Sequence, residues 1–132
     1  VTTYGLLDTS ALIAWEQGRA AATAELPDEL LVSVVTLAEL QVGVYAARDT
    51  DTRARRMATL DSVGAFEVVP IDADAAVEWS RLRYRLVEEQ RRINVNDLWN
   101  ASIALVHGLP VVTQDAGFDV LDGLGGPQVI RL

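Results

Sequence analysis

Cysteine is absent from the 132 residues, which excludes disulfides, thiolate metal sites and cysteine nucleophiles. Lysine is absent too, and all eleven basic residues are arginine. That removes P-loop phosphate binding, whose motif needs Gly-Lys-Ser/Thr, and Schiff-base chemistry, which needs a lysine amine. A single histidine, His107, leaves no multi-histidine zinc motif. No apolar run is long enough to span a membrane. The uncharged stretch 98–114 is too short and carries Asn100, Ser102, His107, Gly108 and Pro110. The opening VTTYGLLDTSALIAW has no basic region of the kind that starts a secretory signal. The expectation is a cytoplasmic protein with no membrane association.

What is present fits one domain over residues 1–132, with 50% hydrophobic residues to build a core. The net charge of −8 argues, taken alone, against nucleic-acid binding, which usually rests on a basic surface. The charge is unevenly spread, however. Arg81, Arg83, Arg85, Arg91 and Arg92 fall in one stretch just before Asp97.

Short apolar runs alternate with helical patterns. Strands are expected at Tyr4–Asp8, Leu30–Val35, Phe66–Ile71, Val111–Thr113 and Val129–Leu132. Helices are expected after Thr9 or Ser10 as cap, over Thr36–Ala47, over Arg53–Val63, from an Asp72 cap to about Arg92, and over Asn94–Leu105. Residues 48–53 and 122–127 read as loops. Ala75, Trp79, Leu82 and Leu86 give the long helix an apolar face, with Trp15, Trp79 and Trp99 at core positions. Strand–helix alternation along the chain marks an α/β fold with a mostly parallel sheet.

Ligands of open parallel sheets bind at the carboxyl ends of the strands. Acids gather there. Asp8 ends the first strand, Glu39 sits in the first turn of the next helix but one, Asp97 opens the helix before the fourth strand, and Asp115 follows that strand, with Asp119 a turn later. Each has a plain structural reading. Thr36–Glu39 matches a capping box, Asp97 and Asp115 suit helix or turn caps, and Asp8 suits a strand-end turn. Jointly they suggest more, because clustered carboxylates repel unless a cation lies among them. Asp8, Glu39, Asp97 and Asp115 could hold one or two Mg2+ or Mn2+ ions. Two ions about 3.5–4 Å apart stabilise both the attacking and leaving oxygens of a phosphodiester displacement. Ser10, Thr113 and Asn100 lie near these acids and could orient them or their waters, and Asn100 could bond Asp97 or a phosphate. Arg81, Arg85, Arg91 and Arg92 could meet phosphates, or simply form a solvated helix face. Gly43, one turn after Glu39, allows either a close approach beside the site or a tight helix crossing.

In this order and spacing, LLDTSALIA, TLAEL, NDLWNASIAL and VVTQDAGFD resemble the PIN domain, and more narrowly the VapC-type toxins of bacterial toxin–antitoxin pairs. The resemblance covers nearly the whole chain, and its specificity lies in the ordered set. It implies a three-layer fold with a five-stranded sheet in the order 3-2-1-4-5 flanked by helices. It also implies a magnesium- or manganese-dependent endoribonuclease, an RNA substrate, a VapB-like antitoxin that wraps the toxin, and commonly a toxin homodimer. By motif match, Asp8, Glu39, Asp97 and Asp115 take the acidic catalytic and metal-binding positions, while Ser10 and Thr113 take small hydroxyl positions beside them. Asn100 departs from the pattern, since relatives usually carry an apolar residue there. Two other readings compete. One is a non-catalytic module that keeps the sheet but not the chemistry. The other is an aspartyl phosphoacceptor or phosphatase, against which stand Ser10, where a second acid is wanted, and the missing lysine.

Overall fold

The computed structural model describes residues 1–19 and 26–132. Tyr4–Leu7 forms strand β1, whose apolar run is unbroken because both of its faces are covered. Leu6 and Leu7 point to opposite faces and are both fully buried. Val111 and Val112 repeat this in β4 (Val111–Thr113). Strands β2 (Glu29–Ser33) and β3 (Glu67–Val69) lie to one side of β1, with β4 and β5 (Val129–Arg131) to the other. The order is β3-β2-β1-β4-β5 and every pair is parallel. The resemblance implied this order.

Among the described residues five helices complete three layers: α1 (Thr9–Glu16), α2 (Val34–Ala46), α3 (Thr50–Ser62), α4 (Ala73–Glu88) and α5 (Val95–His107). On one face Leu6 and Val111 pack with Leu82 and Leu86 of α4 and Leu98 and Ile103 of α5. On the other, Leu7 and Val112 pack with Leu12 of α1, Leu40 of α2 and Val63. Each such leucine contributes roughly 1.5–3 kcal/mol by leaving water. Trp79 and Trp99 stack with ring centroids 5.2 Å apart and so serve packing between α4 and α5.

Several boundaries differ from the sequence expectation, and caps explain them. Ser33 ends β2 and caps α2, its hydroxyl accepting the Thr36 N–H at 3.1 Å. Val34 and Val35 are therefore helical, not strand. Asp49 caps α3 by accepting from the Thr52 amide at 2.7 Å and hydroxyl at 2.9 Å, so residues 50–53 are helix rather than loop. Asp72 caps α4 as expected. That helix stops at Glu88 instead of Arg92, because Gln90 takes a left-handed φ of 55° and the Arg91 amide turns back to the Leu86 carbonyl. Helix α4 is thus roughly 24 Å long at 1.5 Å per residue. Gly43 belongs to a helix crossing: Arg56 of α3 passes over it and donates to its carbonyl at 2.6 Å.

Candidate active site

β1 has β2 on one side and β4 on the other, so the chain direction of the crossovers switches beside it. A crevice forms at such a switch, outside the carboxyl ends of the strands. Asp8 stands there, one residue past β1, its amide donating to the Val112 carbonyl at 2.8 Å. It is the N-cap of α1, in place of Thr9 or Ser10, and is only 3% exposed. A carboxylate so buried requires donors. Its Oδ2 accepts from the hydroxyls of Ser10 at 2.8 Å and Thr113 at 3.0 Å, and from the Ser10 amide at 3.4 Å. Its Oδ1 accepts from Nδ2 of Asn100 at 3.2 Å.

The two hydroxyls are themselves held. The Ser10 oxygen accepts from the Gln114 amide at 3.1 Å, and the Thr113 oxygen accepts from the Asp115 amide at 2.9 Å. Asp115 is thereby tied to Asp8 through one side chain. It caps the 3-10 turn Ala116–Leu121 by accepting from the Gly117 amide at 3.1 Å. Glu39, half-buried on α2, accepts from the Thr9 hydroxyl at 2.8 Å. The capping box expected of Thr36 and Glu39 is not formed, because Ser33 already caps the helix and Glu39 is turned toward α1 instead.

Asn94 caps α5, its side chain accepting from the amides of Asn96 and Asp97. Asp97 is therefore a first-turn residue whose carboxylate is free to face the acids. Burial, then the charges of Asp8, Asp115 and Glu39, push its carboxyl from 3.8 up to about 7. That shift brings the four acids into one electrostatic group. Gly117 closes this side, since a Cβ there would stand 3.2 Å from both Asp97 Oδ2 and Asp115 Oδ2. Among the described residues no three acidic side chains stand close enough together to hold a metal ion as they are placed.

The structure separates other candidates from this group. Asp119 faces away and pairs with Arg131 of β5 at 2.5 Å. Arg81 binds Glu78 at 2.7 Å and the carbonyls of Leu124 and Gly125. Arg91 donates to the carbonyls of Val120 and Asp122, so both arginines fasten the 120–125 segment to α4. Arg85 lies 3.8 Å from Glu88, and Arg92 is exposed in the turn after α4. Asn100 bonds Asp8 rather than Asp97.

The sequence pattern of the PIN domain matches residues 5–124. The chain belongs to the PIN domain family. Two relatives from Mycobacterium tuberculosis are named as ribonucleases. Ribonuclease VapC5 is 52% identical over 128 residues, 97% of this chain and 95% of the relative. Ribonuclease VapC4 is 37% identical over 110 residues, 83% of this chain and 85% of the relative. The solved structure of VapBC-5, from a toxin–antitoxin family of the same organism, has a TM-score of 0.87 and 47% identity, covering 98% of this chain and 99% of that one. VapBC-1 from nontypeable Haemophilus influenzae, at TM-score 0.77 and 20% identity, is alike in fold.

Four residues of this PIN chain's site escaped the sequence reading. Thr9 bonds Glu39, Ser33 and Thr36 lie in the polar network behind Asp8, and Gly117 gives the acids room. Ser33 carried one usable signal, being a lone hydroxyl inside the apolar run LLVSVV.

Proposed function

We propose that this protein, as one PIN-like domain over residues 1–132, is a metal-dependent endoribonuclease and the toxin half of a VapBC-type pair. The observation that carries this reading is that Asp8, Glu39 and Asp115 lie near enough to Asp97, at the carboxyl end of the sheet, for their charges to act on it. It occurs in a chain 52% identical to Ribonuclease VapC5. The donor set suits Mg2+ or Mn2+. It is all oxygen and drawn from four segments, and burial, reinforced by the three neighbouring carboxylates, raises the Asp97 carboxyl to about 7. Asp8 and Asp97 would be the principal ligands, with Glu39 and Asp115 beside them. When bound, such an ion supplies Lewis acidity toward a phosphoryl oxygen and makes water a better nucleophile.

The chain's own residues do the rest. Ser10 and Thr113 hold Oδ2 of Asp8 and so fix the direction of its carboxylate. Thr9 turns Glu39 toward Asp8. Asp97 and Asp115, on either side of Gly117, define the far wall. An antitoxin segment has a place to lie: a groove of about 610 Å³ opens beside Glu39, walled by Val34, Ala38, Val42, Ile71, Asn96 and Trp99. The relative VapBC-5 is likewise described as a toxin–antitoxin system.

The test is RNA cleavage by the purified protein with Mg2+ or Mn2+, with Asp97→Asn as the matched control. Cleavage by the wild type alone is expected, and RNA 5′ ends sequenced after brief induction should vanish with Asp8→Asn. Equal behaviour of wild type and variant would end the ribonuclease reading.

A further inference from the structure

Asn100 is fully buried, as is Ser33, and neither is used in the chemistry above. They form a one-way relay of hydrogen bonds. The Thr36 amide, at the N-terminus of α2, donates to Ser33 Oγ at 3.1 Å. The Ser33 hydroxyl donates to Asn100 Oδ1 over a short contact, and Asn100 Nδ2 donates to Asp8 Oδ1 at 3.2 Å. Every donor in the relay points toward the Asp8 carboxylate. Bonds aligned in this way polarise one another in a low-dielectric interior, and their source is the positive end of a helix.

The relay has a geometric consequence. Asn100 sits three residues after Asp97 on α5, so the two share a rigid element. Ser33 caps α2, which carries Glu39. Asp8 is joined to α2 a second time, through its neighbour Thr9 and Glu39 Oε1. One ring of contacts therefore passes through Asp8, Asn100, Ser33, Glu39 and Thr9. Without Asn100, Oδ1 of Asp8 loses its partner, and only Oδ2 remains fixed.

We propose that Asn100, held by Ser33, is a positioning residue that sets Asp8 in register with Glu39 and Asp97. The inference rests on the reading of Asp8 as a ligand of the site. Side chains that orient a ligand typically change metal affinity or activity about 10–100-fold when removed.

Asn100→Leu keeps the branched shape, with bulkier methyl tips, and removes both polar ends. The expected result is a protein that still melts cooperatively. By calorimetry it binds Mn2+ about tenfold or more weaker, and it cuts RNA with kcat lowered by a similar factor and KM little changed. Ser33→Ala should move both readings in the same direction, and Ser33→Thr, which keeps the hydroxyl, should restore them. If Asn100→Leu does not fold, the two Ser33 variants carry the test. A folded Asn100→Leu with wild-type Mn2+ affinity and kcat overturns the inference, as does Ser33→Thr that fails where Ser33→Ala fails. If the wild type itself neither binds Mn2+ nor cuts RNA, the proposed function falls and the metal-free protein decides this inference. Asn100 side-chain amide protons that exchange slowly in wild type and quickly in Ser33→Ala support the relay, and quick exchange in both overturns it.

Discussion

Asp97 is caught between two demands. Its place in the first turn of α5 favours a negative charge, since backbone N–H groups point that way. Its burial and the three neighbouring carboxylates oppose that charge more strongly, and the carboxyl is pushed to about 7. Between 3.8 and about 7 the folded protein holds a proton that the unfolded chain has released. The resulting contribution to stability is fully present below 3.8 and is lost as pH rises through about 7. In EDTA, the wild type should therefore lose stability relative to Asp97→Asn as pH is raised from about 5 to about 8. Denaturant midpoints of the two proteins measure this, and a pH-independent gap would show that neither burial nor the neighbouring charges raise the Asp97 carboxyl. Gly117 gives a second prediction at the same scale. Alanine there would place a Cβ 3.2 Å from two carboxylate oxygens, tighter than ordinary contact, so one acid must move. Gly117→Ala should fold normally and lose RNA cleavage on the order of tenfold. Initial rates measured beside a thermal melt decide it, and an unaltered rate would show that the acids have slack.

The elements holding these residues stop where their caps dictate. Gly108 ends α5 in the left-handed region, φ 64°, and its amide turns back to the Leu105 carbonyl at 3.2 Å. An L-residue in that conformation costs about 1–2 kcal/mol. Gly108→Ala should lower the unfolding free energy by about that amount, with the urea m-value unchanged. A smaller loss would mean that the turn relaxes. The end of α5 was legible because Gly and Pro punctuate HGLP. The start of α2 was not, because Ser33 is flanked by valines, whose β preference outweighs a single hydroxyl until the helix forms around it. Strand order followed from the motif set, and the four acids drew notice by their places at strand ends and helix starts. Asn100 lay beyond such reasoning. Local spacing pairs it with Asp97, three residues away, whereas its bonds run to Asp8, 92 residues away, and Ser33, 67 residues away. Partners so distant exist only once β1, β2 and α5 have packed.

A net charge of −8 must still admit a polyanion. The arginine stretch before Asp97 offers less help than its sequence suggested. Arg81 and Arg91 already bond four backbone carbonyls of the 120–125 segment, and releasing them would give up those contacts. RNA affinity should then draw on few arginine–phosphate contacts. Each phosphate neutralised on a single strand contributes about −0.7 to the slope of log K against log salt. About three contacts give a slope near −2, whereas engagement of all five arginines of the stretch would bring it to about −3.5. The measurement is binding of a single-stranded RNA to the Asp8→Asn protein, which leaves the RNA intact, across a NaCl series without divalent ions. A slope near −2 assigns Arg81 and Arg91 to holding the fold. A slope of about −3.5 would mean that they exchange their carbonyls for phosphates when RNA arrives. In the first case the attraction falls to the proposed metal site, where cations held by Asp8, Glu39, Asp97 and Asp115 would reverse the local sign.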